Sequence, residues 1–197
     1  MIATGEMEEL LDQIGRRYGY DFTGYSRASL MRRIDSFYVK NSHVSFTDML
    51  SRLIKEAAYF MYFVEEITVN VTEMFRDAGF YKTLREQVLP MLATYPFIRI
   101  WHAGCSTGEE VYSMAILLKE AGLLQKSILY ATDLNQAVLE KAKTGIFPAS
   151  TMQQNSQNYM RSGGREEFST YYTAHYNNAK FDKTLGERMI FSTHNLV

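Results

Sequence analysis

Apolar residues recur along the first third of the chain at the spacing of a helical face. Leu30, Ile34, Phe37 and Tyr38 stand at i, i+4, i+7 and i+8, the period of an amphipathic helix, and Ser26 before them is an N-cap candidate. A second helix is expected from Ser45, with Asp48 three residues on as a weak capping box. Its apolar face would be Phe46, Met49, Leu50, Leu53 and Ile54. A third apolar run covers 57–67. No proline and no strand-like alternation interrupts these segments, so residues 1–66 are expected to form a small helical bundle.

The pattern changes after Val69. A loop, Asn70-Val71-Thr72-Glu73, precedes a helix carrying Tyr81, Leu84, Val88 and Leu89, with Pro90 and Pro96 bracketing its end. The run 97–101 reads as a strand, Gly104-Cys105-Ser106-Thr107-Gly108 as a glycine loop, and Val111, Met114, Ala115 and Leu118 as the buried face of a helix. A second unit repeats the order: a strand over 127–133 and a helix over 135–143. Strands alternating with helices predict a parallel sheet. From Pro148 to Glu187 the pattern loosens. Gly163-Gly164 marks a turn, and Phe168, Tyr171, Tyr172, Tyr176 and Phe181 are spaced like short strands, so a small antiparallel insertion is expected at about 160–187. Residues 188–192 read as a third parallel strand, and no internal repeat is present. The fold class is therefore α/β: a helical bundle over 1–66, then a Rossmann-like domain over 67–197.

Composition narrows the function classes. Of 197 residues, 46% are hydrophobic, enough for a packed core and too many for a disordered tail. The formal charge of −1 argues against general nucleic-acid binding. The longest fully apolar stretch, 57–64, is too short to cross a bilayer. The acidic start of the chain lacks the basic and apolar regions of a signal peptide. Cys105 stands alone and can form no internal disulfide, which fits a reducing, cytoplasmic setting.

The glycine loop is the first chemical candidate. A loop between a strand and a helix N-terminus presents backbone N–H groups, and phosphate is their usual guest. Here the spacing G-x-x-x-G matches neither the dinucleotide nor the Walker pattern. No lysine follows the second glycine, and Glu109 and Glu110 open the helix. Two carboxylates repel phosphate and suit a cationic ligand; their plainer role is to complement the helix dipole. Asp133, at the end of the second strand, stands where an acidic residue reaches ribose hydroxyls, or caps the next helix. A nucleoside bearing a cation, with no essential phosphate, is S-adenosylmethionine. A Cys105–His102 nucleophile pair has no visible orienting third group. The four histidines, His43, His102, His175 and His194, lack metal-ligand spacing, so no metal is expected.

Four motifs, in order, carry a resemblance. Asn70-Val71-Thr72-Glu73-Met74-Phe75-Arg76-Asp77, Ala103-Gly104-Cys105-Ser106-Thr107-Gly108-Glu109-Glu110-Val111-Tyr112-Ser113, Ala131-Thr132-Asp133-Leu134 and Ala142-Lys143-Thr144-Gly145-Ile146-Phe147 resemble the CheR-type chemoreceptor glutamate methyltransferases. Asp21-Phe22-Thr23-Gly24-Tyr25, Arg32-Arg33, Tyr171-Tyr172 and His194-Asn195-Leu196 extend the likeness over nearly the whole chain. The resemblance implies methyl transfer from S-adenosylmethionine to glutamates on the cytoplasmic helices of bacterial chemoreceptors. By position it implies cofactor contacts at Asn70, Thr72, Arg76, Glu110, Asp133, Asn195 and Leu196, with Gly104 in the loop. Glu110 would meet the methionine end, Asp133 the ribose and Asn195-Leu196 the adenine region. Arg76 is the catalytic candidate, since a guanidinium holds and orients a carboxylate; its plainer role is a surface ion pair with Asp77 or Glu73.

Residues 15–43 carry a net charge of +4. Such a run is usually a solvated face. With the resemblance, Arg27, Arg32, Arg33 and Lys40 become candidates for docking an acidic receptor helix. The family's domain continues past the position where this chain ends, so the strand 97–101 is expected to be left as an apolar edge, open to self-association. A fragment with weak or no turnover is the expectation, and a non-catalytic receptor-binding module is the alternative.

Overall fold

In the computed structural model, residues 2–68 and 72–194 are described, and they gather into two compact units, 2–68 and 72–194. Asn70, Asn195 and Leu196, three of the expected cofactor contacts, lie outside the described residues.

The first unit holds α1 (Thr4–Tyr18), α2 (Arg27–Lys40), α3 (Phe46–Lys55) and α4 (Ala57–Ile67). Glu6 starts α1 by accepting from the Ala3 N–H at 2.7 Å, and Gly19 ends it in the left-handed region at φ 73°, where a glycine carries no Cβ penalty. The stripe on α2 is buried at Leu30, Ile34 and Phe37, with Tyr38 at its half-buried margin. Ser26 precedes α2 without a side-chain cap bond. Ser45 does cap α3, its Oγ accepting from the Asp48 N–H at 3.1 Å. Asp48 does not return the bond, because its carboxylate turns to His43 Nδ1 at 3.2 Å; the expected capping box is half formed. Tyr18 stacks on Phe60 at 3.9 Å between centroids, and Phe37 meets Phe63 edge-on at 5.0 Å. Such aromatic pairs add to area burial.

The second unit opens with α5 (Ala78–Thr83), one π turn (Leu84–Val88) and α6 (Leu89–Ala93). Pro90 does not end this helix, as its position suggested; the chain runs through it to Ala93. Proline lacks an N–H and crowds the preceding turn. The wider π turn just before it, in which the Leu89 N–H reaches Leu84 O, accommodates the ring. Lys126 Nζ then donates to the carbonyls of Ala93 and Tyr95 at 2.7 and 2.6 Å.

Three parallel strands follow, β1 (Ile98–Ala103), β2 (Ser127–Asp133) and β6 (Met189–Thr193), in the order β1-β2-β6. Ile98, His102, Leu129 and Ala131 point to a buried face, covered in part by α7 (Glu109–Glu120) and α8 (Gln136–Thr144). On the opposite face Arg99 and Trp101 are exposed and Tyr130 and Thr132 half-buried. Among the described residues β1 stands at one edge of this sheet. A second, antiparallel sheet has the order β3-β5-β4, with β3 (Ile146–Pro148), β4 (Tyr172–His175) and β5 (Asn178–Phe181). The insertion draws in more chain than its loosened pattern showed: β3 lies before 160, and α9 (Met152–Arg161) fills the interval.

One buried polar cluster ties these layers. Glu120, at the end of α7, accepts from Arg85 and Tyr159 and, at 2.7 Å, from Tyr171 Oη. Both members of the ion pair are nearly enclosed, Arg85 at 13% and Glu120 at 11% side-chain exposure. Removing one partner strands the other charge. Glu120→Ala should destabilise the protein by about 3–5 kcal/mol, read as a drop in the urea midpoint; a change under about 1 kcal/mol would assign the cluster to the surface class.

Candidate active site

β1 and β2 end side by side, and the loops that follow them interlock. The Gly104 and Cys105 N–H groups both donate to Thr132 O, at 2.8 and 2.9 Å. The Ser106 N–H donates to Asp133 Oδ2 at 2.8 Å, and the Gly108 N–H to Cys105 O at 3.0 Å. Loops in this position commonly offer their N–H groups to an anion; here these four are spent internally. Gly104 and Gly108 sit at φ 76° and 98°. A Cβ on Gly108 would lie 2.9 Å from Cβ of Ala142, so the second glycine lets α7 start against α8. A Cβ on Gly104 would meet open space, so only its backbone conformation demands glycine there.

Asp133 serves both loops. Its Oδ2 holds Ser106, and its Oδ1 accepts from the Asn135 N–H at 2.9 Å. The cap of α8 is Asn135, whose Oδ1 accepts from the N–H groups of Ala137 and Val138. Asp133 stays half-buried.

The two glutamates that open α7 part company. Glu109 is buried and accepts from Thr107 Oγ1 at 2.6 Å; burial pushes its carboxyl above the ordinary range. Of the two roles open to it, its burial favours the plainer one, a carboxyl at the N-terminal end of the helix dipole. Glu110 keeps 60% side-chain exposure and meets His102 Nδ1 at 2.7 Å. That hydrogen bond holds its carboxyl below the ordinary range. Cys105 is buried, its thiol pushed up to about 12 by desolvation first and by the Asp133 charge next. The thiol makes no pair with His102, which Glu110 occupies, so a Cys–His nucleophile has no support.

Arg76 is exposed and stands between two non-glycine residues in the left-handed region, Phe75 at φ 52° and Asp77 at φ 57°. Such strain persists only where the surroundings fix it. Here the Phe75 N–H donates to Ser113 Oγ at 2.9 Å and the Met74 N–H to Asn155 Oδ1 at 3.2 Å, while Asn158 Nδ2 reaches Met74 O at 3.1 Å. Thr72 is half-buried at the start of this segment. Reading the sequence for chemistry passed over Ser113, Asn155 and Asn158 as supports. Polar residues at i and i+3 beside apolar Met152 and Tyr159 were the available signal.

The four basic candidates on α2 do not form one stripe. At about 100° per residue, Arg27 and Arg33 flank the buried face from opposite sides and Arg32 points away from it. Arg27 lies 3.4 Å from Glu8 and Lys40 2.8 Å from Glu66. Arg33, half-buried, donates to Thr68 O at 3.2 Å. Arg32 is exposed. A cleft of about 490 Å³ lies beside the loop, lined by Thr107, Glu109, Lys141, Phe147 and others; Glu110 and Asp133 do not line it. Among the described residues no cluster of His, Cys, Asp and Glu could hold a metal, and no helix is long and apolar enough to cross a membrane.

Comparison with known proteins decides the family. Residues 70–197 match the CheR methyltransferase, SAM binding domain, and residues 5–68 the CheR methyltransferase, all-alpha domain. The chain belongs to the CheR methyltransferase family. A candidate methyltransferase of Pseudomonas putida, Cher3, is 43% identical over 191 residues, covering 97% of this chain and 70% of that protein. A chemotaxis protein methyltransferase of Listeria innocua is 34% identical over 160 residues, covering 80% of this chain and 61% of that protein. One from Salmonella typhimurium is 35% identical over 120 residues, covering 57% and 41%. This chain thus spans between about two fifths and seven tenths of the length of these CheR relatives.

Two outcomes test the CheR site as described. A buried acid with a raised folded value is more stable protonated, so wild-type stability should fall as pH rises from its unfolded value of 4.5 through the higher folded one. Glu109→Gln should remove that component and melt no lower than wild type at pH 7; a lower melting point would show that the ionised carboxylate stabilises the fold. Iodoacetamide at pH 8 should leave Cys105 unlabelled in the native protein and alkylate it in urea, and rapid native labelling would contradict the burial described.

Proposed function

We propose that this protein is a protein-glutamate O-methyltransferase, taking methyl from S-adenosylmethionine for glutamate side chains on the cytoplasmic helices of bacterial chemoreceptors. The observation that carries the reading is the mouth beyond β1 and β2. The N–H groups of Gly104, Cys105, Ser106 and Gly108 are consumed, Glu110 exposes its carboxylate there, and no Lys or Arg occurs between 103 and 118. A phosphate would find no cation from this loop and a carboxylate in its place, whereas an ammonium or sulfonium group finds negative charge. The donor set therefore fits S-adenosylmethionine, in keeping with the SAM-binding description of the matched domain.

Glu110 would face the amino-acid end of the cofactor. Asp133 would reach the ribose; its oxygens accept from two backbone N–H groups and keep lone pairs for hydroxyl donors. Gly104 admits close approach of the ligand to backbone. Thr72 and Arg76, with Asn70, Asn195 and Leu196, complete the expected contacts. When bound, S-adenosylmethionine supplies an electrophilic methyl on a sulfonium. The substrate glutamate, with an ordinary pKa of about 4.3, is already ionised at neutral pH, so no general base is required. Opposite charges disappear as the new bond forms, so the protein's task is to align the carboxylate and keep water out. Arg76, on its fixed turn, would orient that carboxylate. The names of the Listeria and Salmonella relatives support a chemotaxis role and with it a cytoplasmic setting. Of the four basic candidates, Arg32, Arg33 and Lys40 lie towards one side of α2 and would meet an acidic receptor helix, a contact weakened by salt, while Arg27, across the buried face, would need a separate contact.

Calorimetry with S-adenosylhomocysteine tests the cofactor reading. Wild type should bind, and Glu110→Gln and Asp133→Asn should each weaken binding by on the order of tenfold; the asparagine keeps one acceptor for the two loops, which alanine would release. Undiminished affinity in both variants would refute the site. Arg76→Ala should lower ester formation on a receptor cytoplasmic fragment by on the order of a hundredfold. Receptor binding by the wild type without any transfer would leave a non-catalytic docking module instead.

A further inference from the structure

We propose that His102 is a positioning residue of the site: it fixes the Glu110 carboxylate for the amino-acid end of the methyl donor while leaving its negative charge intact. The inference rests on the cofactor reading above and adds a residue that reading does not use.

His102 lies on the inward face of β1, with 3% side-chain exposure. Its Nδ1 is 2.7 Å from Glu110 Oε1. Its Nε2 is buried and has no hydrogen-bond partner among the described residues. An ionised carboxylate only accepts, so the shared proton sits on Nδ1. A second proton on Nε2 would be a buried donor with no acceptor, a costly arrangement. The geometry thus favours a neutral ring that donates in one fixed direction.

Charge explains why this residue suits the position. A Lys or Arg against Glu110 would orient it but cancel the charge that attracts an ammonium group. A neutral donor orients without cancelling. Glu110 is otherwise a half-open side chain on the first turn of α7, free to lose rotamers only when ligand arrives. Anchoring it to a rigid strand removes part of that ordering from the binding step. The anchor engages Oε1 on a carboxylate that keeps 60% side-chain exposure, so the second oxygen is left for the ligand.

Two substitutions separate orientation from packing. In His102→Asn the side-chain amide places an N–H near the original Nδ1. In His102→Gln the N–H falls near Nε2, away from Glu110. Each variant is titrated with S-adenosylhomocysteine, which carries the amino-acid end, and with 5′-methylthioadenosine, which lacks it. We expect His102→Gln to bind S-adenosylhomocysteine roughly tenfold more weakly with methylthioadenosine affinity unchanged, and His102→Asn to restore most of the difference. Adding His102→Gln to Glu110→Gln should cost nothing further, since His102 acts only through the Glu110 carboxylate. Equal loss on both ligands, or none on either, would overturn the proposal. Should His102→Gln fail to fold, the wild type decides: the His102 ring nitrogen resonances should shift with S-adenosylhomocysteine and not with methylthioadenosine, and resonances indifferent to both would overturn it. A wild-type protein that binds neither nucleoside sinks the cofactor reading itself, an outcome distinct from intact discrimination in the glutamine variant.

Discussion

The carboxylate of Asp133 is the clasp on which the arrangement at the end of the sheet depends. Two loops leave adjacent parallel strands there, and each carries backbone N–H groups that need acceptors. One oxygen takes the Ser106 N–H and the other takes the Asn135 N–H. Without the first, Ser106 has little to hold it at φ 50°, and the turn that launches α7 loses its register. Without the second, Asn135 is no longer presented to cap α8. Direction follows from this clasp: where α7 begins determines which of its first residues enters the core and which faces out. A single carboxylate thereby sets the position of the other one, Glu110.

That division between Glu109 and Glu110 shows how a charged mouth can be built at a helix N-terminus without becoming an anion site. Adjacent residues on a helix point about 100° apart. α7 is buried along most of its length, so one of two consecutive glutamates must turn inward. Glu109 accepts that position with a hydroxyl partner and a raised carboxyl value. Glu110 keeps solvent and a lowered one. The helix dipole favours negative charge at this end in either case. What disfavours phosphate is the pairing of these carboxylates with a loop in which the N–H groups of Gly104, Cys105 and Ser106 are turned back onto Thr132 and Asp133.

Much of this fold was legible because its signals are local. The strand over 127–133 was placed residue for residue and the helix over 57–67 likewise, since β-branched and apolar runs bounded by turn residues leave few choices. Pro90 misled because a π turn, which depends on i to i−5 bonding and tertiary support, leaves no mark in hydrophobic spacing. The half-formed capping box failed because His43, distant in pattern though near in chain, competes for Asp48. At the site, the glycine loop, Asp133 and Glu110 stood out from chemistry alone. The inward turn of Glu109 and the His102–Glu110 contact did not, because each depends on which face a strand or helix presents to its neighbours. His102 was weighed only as a partner for Cys105, three residues away, when its partner is eight residues on and a helix turn above.

The same helix links the two halves of the proposed chemistry. Glu110 stands in the first turn of α7, and Ser113, one turn on, accepts from the Phe75 backbone and donates to Glu109 O at 2.7 Å. Ser113 thus closes a local bond on its own helix and at the same time fixes the strained turn that carries Arg76. A reaction in which a carboxylate and a sulfonium lose their charges gains little from a strong general acid or base. It gains from holding two partners in line where water is scarce. Rigid placement of a guanidinium and a carboxylate relative to one another is therefore the property such a protein needs. With Glu110 on the first turn of α7 and the Phe75 backbone held by Ser113 one turn on, the spacing between Glu110's backbone and the turn that bears Arg76 is set by helix geometry.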